Sequence, residues 1–217
     1  MDFQKERNLM VENQLKPNMV NEPKIYNIFN EIEKEHFIKD ENKHLTYSDN
    51  DIKIINNRGY LKNLHLAQLI YFSNLKNDDN VLHIGGLTGY VTYILSKFVK
   101  HVVVIEDDID LFNQLKINID YFKIKNVELI NNNLKEGCLK NSPYDLIFID
   151  SLINEYPSIL IDQLKNNLGR LIMIEKVTDQ LGKCVRFIKD KDKIDKDILF
   201  DAFSSFSLYK NKEKFVF

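Results

Sequence analysis

The stretch Val81–Tyr90, VLHIGGLTGY, constrains this chain more than any other. An apolar run (Val81, Leu82, Ile84) stops at Gly85 and Gly86, and helical spacing resumes from Tyr90 to Phe98. That is a strand, a glycine turn and a helix start, the opening of a nucleotide-binding βα unit. Glycines permit a turn that β-carbons block, and they let backbone N–H groups approach a ligand closely. A second strand, His101–Ile105, runs into Glu106. An acid about 20 residues beyond the glycine turn is placed to hold a ribose diol. The spacing is not G-x-G-x-x-G, because Leu87 stands where a glycine is expected. On these residues alone, a tight βα turn without a ligand remains the other reading.

From Asn80 onward strands and helices alternate. The expected strands are 81–84, 102–106, 127–131, 144–150 and 168–175, with helices over 88–98, 110–122 and 158–164. Continuous apolar strands separated by helices predict an α/β protein, a mostly parallel sheet covered on both faces. Residues 182–188 and 198–208 read as closing strands, with Phe200, Ala202, Phe206 and Leu208 on one parity. The charge run KDKDKIDKD between them reads as a solvated loop or hairpin. Ahead of the core, residues 3–15 are loosely helical up to Pro17. A better helix starts at Asn21–Pro23, with Ile25, Ile28, Phe29 and Ile32 on one face. Residues 37–58 read as loop with short strands, and helical spacing returns over 64–75. The expected organisation is an N-terminal helical and loop extension, 1–79, and a core, 80–217, packed as one compact domain.

A hydrophobic fraction of 44 %, a charged fraction of 29 % and a net charge of −2 fit a globular protein. Interspersed acids and bases give no reason to expect nucleic acid or an anionic membrane as partner. No apolar run reaches membrane-spanning length, and the opening MDFQKERNLMVENQ lacks the apolar core of a signal peptide. Cytoplasmic localisation is therefore expected. Cys138 and Cys184 have no metal-ligand spacing and read as thiols rather than a disulfide, so no metal is expected.

Several further pieces carry a resemblance. They are MVENQL (Met10–Leu15), Phe37, Tyr47 with Asp49, the glycine turn, Glu106, Asn126-Val127 with Gly137, the strand Tyr144–Asp150, and YPSILIDQL (Tyr156–Leu164). In this order they resemble the protein-L-isoaspartate O-methyltransferases, class I methyltransferases of Rossmann-like fold that use S-adenosylmethionine. The resemblance implies methyl transfer to isoaspartyl residues of damaged protein, a protein-repair activity, with a protein or peptide as substrate. It implies a cofactor site at His83, Gly85, Gly86, Gly89, Glu106 and Asn133, and an acceptor site at Lys62, Asn63 and His65. Asp150, at the end of the fourth strand, becomes a wall of the transfer site, or else a turn aspartate. From Gly182 to Phe217 the chain looks more like a bacterial side branch than like the repair enzymes.

The departures cluster at functional positions. His83 replaces the acid that helps hold the methionine ammonium, Leu87 replaces a glycine, and Asn133 replaces the aspartate facing adenine. His83 is either a ligand or a satisfied strand-end histidine. Lys62 stands at the family's serine and Leu64 at its proline, while His65 matches. Two readings follow. One is a carboxyl methyltransferase, in which Lys62 pairs with the substrate carboxylate. The other is a non-catalytic binding or assembly module whose cofactor pocket Leu87 closes. A nicotinamide-dependent oxidoreductase is disfavoured by the glycine spacing.

Overall fold

The structure is a computed structural model that describes residues 1–18, 20–178 and 180–209. Its centre is a seven-stranded sheet in the order β5-β4-β3-β6-β7-β8-β9. The strands are β3 (Asn80–Ile84), β4 (His101–Glu106), β5 (Val127–Asn131), β6 (Leu146–Ile153), β7 (Asn167–Lys176), β8 (Gly182–Asp190) and β9 (Lys193–Asp201). The first five are parallel, and β8 and β9 close the edge as an antiparallel hairpin. Two short antiparallel strands, β1 (Ile52–Ile55) and β2 (Arg58–Tyr60), form a separate ribbon.

The apolar strands are buried on both sides, as a parallel sheet between helices requires. Alternate residues go to opposite faces. Val81, Val102, Leu146 and Ile172 join a cluster with the N-terminal helices and α4 (Tyr90–Ser96). Leu82, Val103, Ile147 and Leu171 join another with α6 (Ser158–Asp162). Val104 meets Leu115 and Ile119 of α5 (Ile109–Tyr121). Asp108 starts α5 by accepting from the backbone N–H groups of Asp110 and Leu111.

The N-terminal segment supplies α1 (Phe3–Met10), which continues as a wider turn over Val11–Leu15, then α2 (Pro23–Glu31) and α3 (Asn63–Ser73). Pro23 sits in the first turn of α2, where its missing N–H costs nothing. Ile25, Ile28, Phe29 and Ile32 are all buried, so the expected face is the one that packs. Between α2 and α3 lie short 3-10 turns at Lys34–Phe37 and Asp40–Leu45. At the N-terminal end of the sheet, Arg170 donates to Asp79 at 2.5 Å and to the Asn74 carbonyl at 2.6 Å.

The charge run, expected as a solvated loop or hairpin, is a hairpin built mostly of strand: β8 extends to Asp190, the turn is Lys191-Asp192, and β9 begins at Lys193. An edge strand pairs through its backbone and leaves its side chains in solvent, so charge does not exclude it and protects the edge. The closing strand stops short, at Asp201. Phe206 and Leu208 belong to a separate strap that pairs with the end of β6, through Leu152 N–H to the Phe206 carbonyl and Leu208 N–H to the Leu152 carbonyl. Of the divergent tail, residues 210–217 lie outside the described residues. Cys138 and Cys184 are buried free thiols. Among the described residues no helix is long and apolar enough to cross a membrane.

Candidate active site

The strand order reverses between β3 and β6, and the crevice at such a reversal is where open α/β sheets bind ligands. The glycine turn leaves β3 there. Gly85 and Gly86 both donate to the Ile105 carbonyl, at 2.9 and 3.1 Å. Gly85 (φ 87°) and Gly89 (φ 104°) occupy the left-handed region that favours glycine. A Cβ on Gly86 would meet Val104 at 2.6 Å and Leu115 at 2.9 Å, so glycine there lets α5 close on the sheet.

Leu87 adopts φ 50°, unusual for a branched residue. Its side chain is buried in the cluster shared with the N-terminal helices, and it does not line the neighbouring cleft. The expectation that Leu87 closes the pocket is therefore not what the geometry gives. Its backbone N–H points at Glu106 Oε2, 2.8 Å away.

Glu106 is fully buried and fully bonded. Arg58 grips it with Nη1 on Oε1 at 2.5 Å and Nη2 on Oε2 at 2.8 Å. Asp108 N–H adds a bond to Oε1 at 3.1 Å. Each oxygen thus accepts two donors, which uses the capacity of a carboxylate. Arg58 also reaches Asp107 at 3.2 Å. Burial alone pulls the Arg58 guanidinium down, but its bonds to Glu106 and the nearby carboxylate charges hold it above its ordinary value. Arg58 has no counterpart among the residues expected from sequence.

Arg58 reaches the turn because of strand period. Arg58 and Tyr60 are two apart on β2 and so share a face. Tyr60 Oη accepts from Tyr90 N–H at 3.2 Å and bonds Thr88 Oγ1 at 2.7 Å, and Thr88 donates to the Phe37 carbonyl. This relay fastens β2 over the glycine turn. The strap adds cover: Leu208 Cδ1 lies 2.8 Å from where a Cβ of Gly85 would be.

His83, fully buried, bridges Thr92 Oγ1 (2.9 Å) and Asp150 Oδ1 (3.1 Å). One ring proton satisfies both contacts if Nε2–H donates to the carboxylate and Nδ1 accepts from the threonine. Asp150 arrives there through an irregularity in β6, where the register against β7 shifts between Phe148 and Leu152. Bulges commonly re-aim a side chain in this way. A buried carboxylate from β6 thus lies beside the position on β3 where the resemblance leads one to expect an acid.

The remaining predicted residues are dispersed. Asn133 is exposed and accepts from Lys135 N–H at 2.9 Å. It lines a cleft of about 520 Å³ together with Arg58, Asp107, Lys135, Leu208 and Tyr209. Lys62 pairs with Asp49 at 3.3 Å, while its N–H is held by Asp51 Oδ1 at 2.9 Å. Asn63 is fully buried, bonded to Lys34 Nζ at 2.7 Å and to the Thr46 carbonyl at 3.0 Å. It holds the loop in place and presents nothing outward. His65 packs near Phe200, and burial, then the charge of Lys62, lowers its pKa. Lys34 was not anticipated either. It is fully buried below the loop, near the Tyr60 and Tyr90 rings, and burial pushes its pKa down to about 7 against the opposing charges of Asp51 and Asp150.

Comparison with known proteins places the chain in a family. The sequence model described as Protein-L-isoaspartate(D-aspartate) O-methyltransferase matches residues 4–201. A protein-L-isoaspartate O-methyltransferase of Petrotoga mobilis is 27 % identical over 174 residues, covering 80 % of this chain and 81 % of the relative. One of Methanococcus vannielii is 30 % identical over 164 residues, covering 72 % and 75 %. A solved protein-L-isoaspartate O-methyltransferase superposes with a TM-score of 0.80 at 23 % identity, over 94 % of this chain and 66 % of that longer chain. With a family match across nearly its whole length, the chain belongs to the protein-L-isoaspartate O-methyltransferase family.

Proposed function

We propose that this protein is an S-adenosylmethionine-dependent carboxyl methyltransferase acting on L-isoaspartyl residues of damaged protein or peptide. One observation carries the reading: a family match over residues 4–201, within which an acid, Glu106, ends β4 beside a glycine turn in the left-handed region. A cytoplasmic place, away from nucleic acid and membranes, accords with the near-neutral net charge of −2.

The residues suit the cofactor chemically. Gly85 and Gly89 have the conformation of a backbone cradle, and Glu106 suits the ribose hydroxyls. Asn133 offers an amide oxygen to the adenine amino group. Asp150, held by His83, offers the carboxylate suited to the methionine ammonium. When bound, S-adenosylmethionine supplies an electrophilic methyl group.

A substrate carboxylate is already a nucleophile, so the chain need not supply a strong base; holding and aligning the acceptor would carry most of the rate. In this reading Lys62 meets the acceptor carboxylate, for which it must leave Asp49. Asn63 and Lys34 fix the loop from beneath, and His65 flanks it. Incubating the purified chain with the methyl-labelled cofactor and an isoaspartyl peptide tests the proposal. Methyl ester on that peptide, and none on its aspartyl twin, is expected. No ester, where another family enzyme gives it in the same assay, sinks the reading.

A further inference from the structure

We infer that Arg58 is an internal competitor for the cofactor's ribose and so sets cofactor affinity in this chain. The inference rests on the cofactor reading above and adds to it a residue that determines when the site is open.

Glu106 is the group suited to the ribose hydroxyls, and its acceptor capacity is full. Leu87 N–H and Asp108 N–H take one position on each oxygen, and both belong to the fixed backbone of the site. The other two positions are held by the Arg58 guanidinium, at 2.5 and 2.8 Å. A ribose diol is a pair of donors asking for those two positions, so ribose and Arg58 exclude each other. The competitor is covalently part of the chain and is held at the mouth of the cleft. Tyr60, on the same face of β2, is locked to Tyr90 and Thr88, which keeps the guanidinium within reach of Glu106.

The strap reinforces the closure. Asp51 Oδ2 accepts from Ser204 Oγ and Ser205 N–H, both at 3.2 Å, and Ser207 N–H donates to the Asn57 carbonyl at 3.2 Å. These bonds tie strap to ribbon next to Arg58. Leu208 then lies over Gly85, where Arg58 Nη2 also comes within 3.1 Å of a would-be Cβ. Ribbon and strap therefore cover the glycine turn together, and binding requires Arg58 to swing into the adjoining cleft that it already lines.

Calorimetric titration of S-adenosylhomocysteine into the full chain and into Arg58→Ala tests this. The variant is expected to bind at least about tenfold tighter, since a site closed most of the time loses affinity by its open fraction. Adenosine should gain by the same factor, because the competition is at the ribose. The double variant Arg58→Ala/Glu106→Gln should lose the gain, an outcome that a merely loosened fold does not give. Should Arg58→Ala fail to fold with Glu106 unpaired, Arg58→Gln keeps a neutral donor there and should show the gain in weaker form. Equal affinity in wild type and variant would overturn the competitor and leave the cofactor reading standing. No binding by wild type or by any folded variant would overturn both.

Discussion

His83 and Asp150 are joined across the two strands between which the sheet order reverses, with Nε2 and Oδ1 3.1 Å apart and both side chains out of solvent. The contact places a carboxylate from β6 against the end of β3, a strand with no acid of its own before Gly85. Asp150→Asn keeps an oxygen for His83 but removes that charge. If the carboxylate receives the methionine ammonium, the substitution weakens S-adenosylhomocysteine binding about tenfold or more, the worth of a charged hydrogen bond. It leaves 5′-methylthioadenosine, which has no amino-acid end, unchanged. Calorimetry with the two ligands checks this, and an equal loss for both would assign Asp150 a role in shaping the whole site instead.

Leu87 pays for its left-handed backbone with its side chain. Releasing a branched residue from φ 50° recovers about 1–2 kcal/mol. Losing a leucine buried to 3 % exposure costs about 2–5 kcal/mol or more. Leu87→Gly is therefore expected to be net destabilising by up to about 4 kcal/mol, a fall in Tm of up to roughly 15 °C for a chain of this size. Its cofactor affinity should not change, because the leucine packs with the N-terminal helices. A melting curve with a parallel titration decides. A gain in affinity matching that of Arg58→Ala would make the leucine the guard of the site.

The buried pair Asp79–Arg170 fastens the N-terminal ends of β3 and β7. Asp79 accepts from Arg170 at 2.5 Å and from Lys76 N–H at 2.9 Å, and both side chains are buried. Asp79→Ala strands a guanidinium in the interior and is expected to cost about 3–5 kcal/mol in urea unfolding. Asp79→Ala/Arg170→Met should recover most of that loss, because replacing both charges removes the stranded one. A single variant as stable as wild type would show that solvent reaches the arginine.

The features that depend on local pattern are legible in the sequence. Continuous apolar runs give the parallel strands, and β5 falls on the expected residues 127–131. Glu106 is legible because its distance from the glycine turn is fixed by one βα crossover. Arg58 is not, because its partner is 48 residues away on another sheet and no periodicity links them. Nor is the shift that swings Asp150 towards His83, since a bulge changes pairing without changing hydropathy. Where the edge strand β9 begins is hidden for the opposite reason: its charges are real, but a strand that packs nothing on one side needs no apolar alternation. Lys34 sits between Glu33 and Glu35, where a charged residue looks solvated and nothing signals burial.

That buried lysine gives the molecule a definite pH dependence. In the folded protein Lys34 releases its proton near pH 7, whereas unfolded it does so near 10.5. Between those values the unfolded chain binds the extra proton, so this group makes stability rise with pH. The penalty of burying the charge is fully present below about pH 7 and disappears as pH approaches the unfolded value. The slope reaches at most about 1.4 kcal/mol per pH unit. Lys34→Met should lose that slope while keeping a side chain of similar length between the Tyr60 and Tyr90 rings. Absolute stability is a poor readout, because Asn63 Oδ1 loses the donor it has at 2.7 Å and offsets the gain. Urea unfolding from about pH 7.5 to about pH 9.5 for both proteins isolates the contribution of Lys34, since every other titrating group is common to the two. Parallel stability curves would mean that Lys34 keeps its proton in the folded chain, with the charges of Asp51 and Asp150 outweighing its burial.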